Sequence, residues 1–178
     1  SIKSNKLLIK TNESNVERNL SEILSLIDNS GISFNSKKIS KEIFKKLGQI
    51  ESKIHGIPID KVHFHEIGAL DSIIDILGSA ICLDFLSPEY IYSSPLPIAK
   101  GYIKTEHGLM PNPAPATLEC LKGIPTFSTD VEKEILTPTG AAILTTIVNE
   151  YKYPSMIVQD IGYGAGSMEL DTPNILRT

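Results

Sequence analysis

Tryptophan is absent from this 178-residue chain, histidine occurs only 4 times, and cysteine only twice, at Cys82 and Cys120. Two cysteines make neither a disulfide framework nor a CxxC metal knuckle. Each lies among apolar residues at helical spacing, so both are expected to act as small buried hydrophobes. Basic residues are not in excess, with 17 Lys and Arg against 21 Asp and Glu and a net charge of −4. That balance removes the electrostatic footprint of a nucleic-acid binder. No apolar run approaches the roughly 18 residues that span a bilayer, and the N-terminus lacks the charged-then-apolar pattern of a secretory signal. A cytoplasmic location with no membrane partner is therefore expected. The chain opens at Ser1 without a methionine, which leads us to expect processing or trimming from something longer.

What is present is an ordinary globular composition, 41% hydrophobic and 21% charged. A chain of this length forms one domain or two small ones and buries about 70% of its unfolded surface. Lys6 to Lys10 reads as a short strand. An amphipathic helix follows from about Val16 to Ile27, opened by Ser14 or Asn15 and closed near Gly31. A second helix is predicted from Lys37 to Ile54, with lysines alternating against Ile39, Ile43, Phe44, Leu47 and Ile50, and with His55 at its cationic end. After Gly56-Ile57-Pro58 lysine thins out and glycine and proline accumulate, which suggests a helical lead over 1–58 and a site-bearing body over 59–178.

In the body, helices are predicted over Leu70 to Phe85, Ala114 to Leu121 and Gly140 to Tyr151. Strands are predicted over Tyr90 to Ser94, Ile98 to Thr105, Met156 to Ile161 and Asn174 to Arg177, with Pro95-Leu96-Pro97 as a kinked link. The expected class is α/β, in the mixed α+β sense: a helical N-terminal lead, then a mixed sheet of about five strands with packed helices.

Chemistry concentrates between His63 and Asp75. Residues two apart on a strand share a face, so His63 and His65 point together while Val62 and Phe64 point oppositely. Asp71, Asp75, Ser79 and Cys82 fall on one stripe of the helix that follows. Imidazoles beside the carboxylates of Glu66, Asp71 and Asp75 suit a divalent metal, whether nickel, zinc, copper or iron. Ordinary explanations exist too. Asp71 is favoured in a first helical turn by the helix dipole, and Glu66 can simply cap or face water. Asp75, between Ile74 and Ile76, is expected to need a specific partner. His107, beside the proline-stiffened stretch 110–115, is the third candidate imidazole.

Two places could hold an anion. Thr137 has the position of an N-cap with Pro138 next to it, so the N–H groups around Thr139 and Gly140 could receive phosphate. Gly162, Gly164 and Gly166 look like a phosphate loop, yet no helix follows them and no Walker-type lysine is present, so glycines serving tight turns explain them equally well.

Taken in order, the run from His63 to Asp75, Ser94-Pro95-Leu96-Pro97, Glu106-His107-Gly108, Pro113-Ala114-Pro115-Ala116-Thr117, Leu136-Thr137-Pro138-Thr139-Gly140-Ala141-Ala142 and Gly162-Tyr163-Gly164-Ala165-Gly166 resemble the LarC family of nickel-insertion proteins of lactate racemase maturation. The resemblance covers about Val62 to Arg177. It implies a nickel chelatase, or cyclometallase, of the lyase type. Such an enzyme inserts nickel into a pyridinium bisthiocarboxylic acid mononucleotide to form the nickel-pincer cofactor, using CTP with manganese or magnesium. Apo lactate racemase and a second copy of the chain are further candidate partners. Chains of that family are longer, with a glycine- and aspartate-containing segment ahead of the region matched here and a nucleotide-associated domain after it, so this sequence resembles the central part. Two other readings of the same residues remain: a metal-dependent hydrolase, in which the ligands activate water, and a non-catalytic scaffold module.

Overall fold

The computed structural model describes residues 2–10, 18–64, 70–105 and 108–178. The chain forms two compact units: Glu13–Tyr153, and Ser1–Asn12 together with Pro154–Thr178. Pro58, where the composition changes, lies inside the larger unit.

The larger unit opens with a two-residue strand, β1 (Arg18–Asn19), then helix α1 (Leu20–Asn29). The helix starts later than Ser14 or Asn15 would place it, and the reason is local. Asn19 accepts a hydrogen bond from the Glu22 N–H while the Glu22 carboxylate accepts one from the Asn19 N–H, a capping box that satisfies two end groups at once. Helix α2 (Phe34–His55) is capped by Ser33 and closed by Gly56 at φ 63°, a left-handed position that glycine takes without strain. Ile43, Phe44, Leu47 and Ile50 of α2 are buried, as their spacing predicts. Lys46 leaves the solvated lysine face: its Nζ donates to the Thr145 carbonyl at 2.8 Å and to Thr145 Oγ1 at 2.7 Å.

A 3₁₀ turn at Ile59–Lys61 leads into β2 (His63–Phe64), which pairs antiparallel with β1, Asn19 opposite His63. Helix α3 (Leu70–Leu86) follows, then β3 (Tyr92–Ser93), β4 (Leu96–Ile98), β5 (Tyr102–Thr105) and β6 (Gly108–Pro111). Helix α4 (Pro115–Cys120), β7 (Thr126–Ser128), α5 (Pro138–Ile147) and β8 (Glu150–Tyr151) complete this unit. One core joins Leu20, Ile23 and Ile27 of α1, the buried face of α2, Val62 and Phe64, Ile73 and Ile76 of α3, Cys120, and Ala141 and Ala142 of α5. The smaller unit contains β9 (Tyr163–Ala165) paired antiparallel with β10 (Ile175–Arg177), and Asn5 bridges to Gly164 beside them.

The mixed α/β class agrees with the expectation, but the sheet does not. Among the described residues the strands form five separate two-stranded pairs, β1–β2, β3–β8, β4–β7, β5–β6 and β9–β10, in place of one sheet of about five. The strands are two to four residues long, too short to carry a continuous ladder. The predicted strand Ile98 to Thr105 is broken at Gly101, and Leu96-Pro97 belongs to β4, where it lies opposite Thr126 and Phe127. Helix α5 stops at Ile147, short of the expected Tyr151, because Val148 takes extended dihedrals and Glu150–Tyr151 pairs with β3. Lys6 to Lys10 and Met156 to Ile161 form no strand. Cys120 is buried as expected, whereas Cys82 is exposed, on the side of α3 away from its buried Ile73, Ile76 and Ala80.

Candidate functional site

Tertiary packing sets the direction of His63. Val62 and Phe64 are each 1% exposed, and the Phe64 ring meets the Phe44 ring edge-on at 6.5 Å between centroids. With both neighbours in the core, the intervening His63 points outward and is exposed, as strand alternation predicts. Phe64 anchors this strand end, since burying a side chain of that size contributes about 1.5–3 kcal/mol. Strand β1 holds the other side of His63 through Asn19. Its contribution was missed by reading Arg18 and Asn19 as helix, although Asn19 followed three residues later by Glu22 is a recognisable helix-start signal.

Asp71 and Asp75 lie one turn apart at the start of α3, and both side chains are exposed. The Asp71 carboxylate accepts a hydrogen bond from the Ser72 N–H at 2.8 Å, a bond of the first helical turn. Asp75 has no hydrogen-bond or ion-pair partner among the described residues, and its expected burial between Ile74 and Ile76 is not found, because those two side chains turn away from it. Partial desolvation, and secondarily the charge of Asp71, hold its carboxyl above the usual carboxylate value. Two acidic groups thus share one exposed stripe near the end of α3 that follows the histidine strand. His65, Glu66 and His107 lie outside the described residues, and among the described residues no group of three or more His, Cys, Asp or Glu converges as a metal site.

At the start of α5, Thr137 caps as expected, its Oγ1 accepting from the Gly140 N–H at 3.1 Å. Pro138 has no N–H and the Gly140 N–H is used, so the Thr139 N–H remains for an anion among the described residues. The glycine run is different. Gly162 donates its N–H to the Thr178 carbonyl, Gly166 to that of Asn174, and the intervening Ala165 to that of Asn5. A Cβ at Gly166 would run into the Asn174 side chain, and one at Gly162 would meet Thr178 Oγ1 at 2.6 Å. These glycines permit close approach of β9 to its neighbours, and the amides of Gly162 and Gly166 are engaged beside the β9–β10 ladder that holds Gly164 opposite Leu176.

The family of nickel insertion proteins matches residues 1–178, the full chain. The chain belongs to this family. A putative nickel insertion protein of Dictyoglomus thermophilum is 53% identical over 161 residues, covering 90% of this chain and 42% of its own length. The pyridinium-3,5-bisthiocarboxylic acid mononucleotide nickel insertion protein of Desulfitobacterium hafniense (strain DSM 10664 / DCB-2) is 45% identical over 99% of this chain and 44% of its own. That of Staphylococcus epidermidis (strain ATCC 12228 / FDA PCI 1200) is 48% identical over 96% and 44%. This nickel insertion family member therefore spans less than half the length of the curated relatives it matches. No solved structure matches it.

Proposed function

We propose that this chain takes part in nickel insertion into a pyridinium bisthiocarboxylic acid mononucleotide, nickel being cargo and the product the nickel-pincer cofactor of lactate racemase. Family membership over residues 1–178 carries this reading, supported by relatives named for that substrate. In it His63, His65 and His107 hold the incoming ion with Glu66, Asp71 and Asp75. Outward-facing His63 and Asp75, which has no hydrogen-bond or ion-pair partner among the described residues, support that placement. Nitrogen and oxygen donors bind nickel less tightly than the soft sulfur atoms of a thiocarboxylate, so ligand softness favours passage of the metal from protein to substrate. The substrate phosphate is placed at the Thr139 N–H of the α5 start in preference to Gly162, Gly164 and Gly166, where amides already serve strand pairing.

CTP with manganese or magnesium would supply the nucleotide-dependent part of the reaction in a full-length protein of the family, with apo lactate racemase as recipient and the cytoplasm as location. Among the described residues no helix is long and apolar enough to cross a membrane.

Equilibrium dialysis with elemental analysis tests the reading directly. Stoichiometric nickel uptake by this chain, abolished in the His63→Ala/His65→Ala double variant with the fold intact, is the expected result. A folded wild-type chain that takes up no nickel would overturn the placement of the metal at this motif.

A further inference from the structure

Asn19 serves two elements at once. It caps α1, and in the β1–β2 pair it lies directly opposite His63. Residues opposite one another in an antiparallel pair put their side chains on the same face, with Cβ atoms about 4.5–5.5 Å apart. His63 is exposed on that face, with Asn19 half-buried beside it, while Arg18 lies opposite buried Phe64 on the other face. The Asn19 amide is held in one orientation. Its Oδ1 accepts from the Glu22 N–H at 2.9 Å and from Ser21 Oγ at 2.6 Å, both in the first turn of α1. With the oxygen turned to the helix, Nδ2 lies on the other side of the amide, and it has no hydrogen-bond acceptor among the described residues. A donor of fixed direction therefore stands next to an exposed imidazole.

Such a donor does nothing for a metal ion, because an amide nitrogen has no lone pair to give. It suits what the metal is passed to. A thiocarboxylate offers nickel its soft sulfur, and its oxygen is then left beside the metal as an acceptor that carries part of the negative charge. Hydrogen bonds to a charged oxygen are the stronger kind, and a nitrogen donor makes them at about 2.7–2.9 Å.

We propose that Asn19 is a substrate-binding residue of the nickel-insertion reaction: with nickel on His63, Asn19 Nδ2 donates to the oxygen of the thiocarboxylate whose sulfur takes the metal. This rests on the reading of His63 as a nickel ligand. Aspartate would cap α1 as well as asparagine does, but it would bring no donor to the face that His63 occupies.

Thiobenzoate, an aromatic thiocarboxylate, is the probe, titrated into the nickel-saturated chain and followed by sulfur-to-nickel charge-transfer absorption. Asn19→Asp and Asn19→Gly both remove the donor and leave α1 with a competent cap. Each should keep the circular dichroism of the wild type and raise the thiobenzoate dissociation constant about 10-fold or more. A purely structural role for Asn19 would leave Asn19→Asp binding thiobenzoate like the wild type, and that result overturns the proposal. Equilibrium dialysis with nickel alone separates this contact from the metal reading. A wild-type chain that takes up nickel but gives no charge-transfer band with thiobenzoate overturns the substrate contact alone. One that takes up no nickel removes His63 as a ligand, and this contact with it.

Discussion

Asp84 is the residue on which the junction of α2 and α3 turns. Ser33, then Asn35, and more weakly Ser36 hold its carboxyl below the usual value by donating hydrogen bonds to the charged form. A carboxyl depressed in the folded state stabilises the fold above its unfolded value, and that contribution is lost as the pH falls through the folded one. The chain should therefore lose thermal stability as the pH drops through about 4 and below, and Asp84→Ala should both lower the neutral-pH melting temperature and remove part of this acid dependence. Salt gives a control. Glu119 is also held below its usual value, by Lys122 and Lys53, but those pairs are exposed and should weaken with ionic strength, whereas the neutral donors on Asp84 should not. The cysteines divide in the same environment-driven way. Burial pushes the Cys120 thiol up to about 11, so in the folded protein iodoacetamide should modify Cys82 alone, and Cys120 should react only on unfolding.

At the scale of the element, the start of α5 was legible because a short side chain beside a proline marks it, whereas the starts capped by Asn19 and Ser33 were misplaced by several residues. Thr137 was identified as a cap, and Thr137→Ala should cost about 1 kcal/mol of stability in denaturant unfolding by removing the bond to the Gly140 N–H. The end of α5 was not legible, because the alternative to four more residues of helix is pairing of Glu150–Tyr151 with Tyr92–Ser93, a partner 58 residues away in register. The same holds for the strand Met156 to Ile161. Its apolar composition predicts pairing, but β10 pairs with Tyr163–Ala165, and the flanking Gly162 and Gly166 let Thr178 and Asn174 come close. Phe64→Ala would remove the ring that holds β2 in the core, at a cost of about 3–5 kcal/mol in unfolding measurements. Nickel uptake through His63 should weaken in any folded fraction, since the strand that aims the imidazole loses its anchor.

At the scale of the whole molecule, the alternation of Val62, His63 and Phe64 and the helical spacing of Leu70–Leu86 determined by themselves that His63 would point opposite to Val62 and Phe64 and that Asp71 and Asp75 would share one stripe. Those are consequences of fixed 2.0 and 3.6 residue periods and need no knowledge of what lies opposite. Tertiary structure alone decided the rest. Asp75 stands free of the apolar neighbours that seemed to enclose it, five strand pairs replace one sheet, and α3 buries Ile73, Ile76 and Ala80 while leaving Ile81, Phe85 and Leu86 outside. Periodicity fixes which residues share a face, but burial depends on whether another element arrives to cover that face, and that is a long-range property of the packed chain.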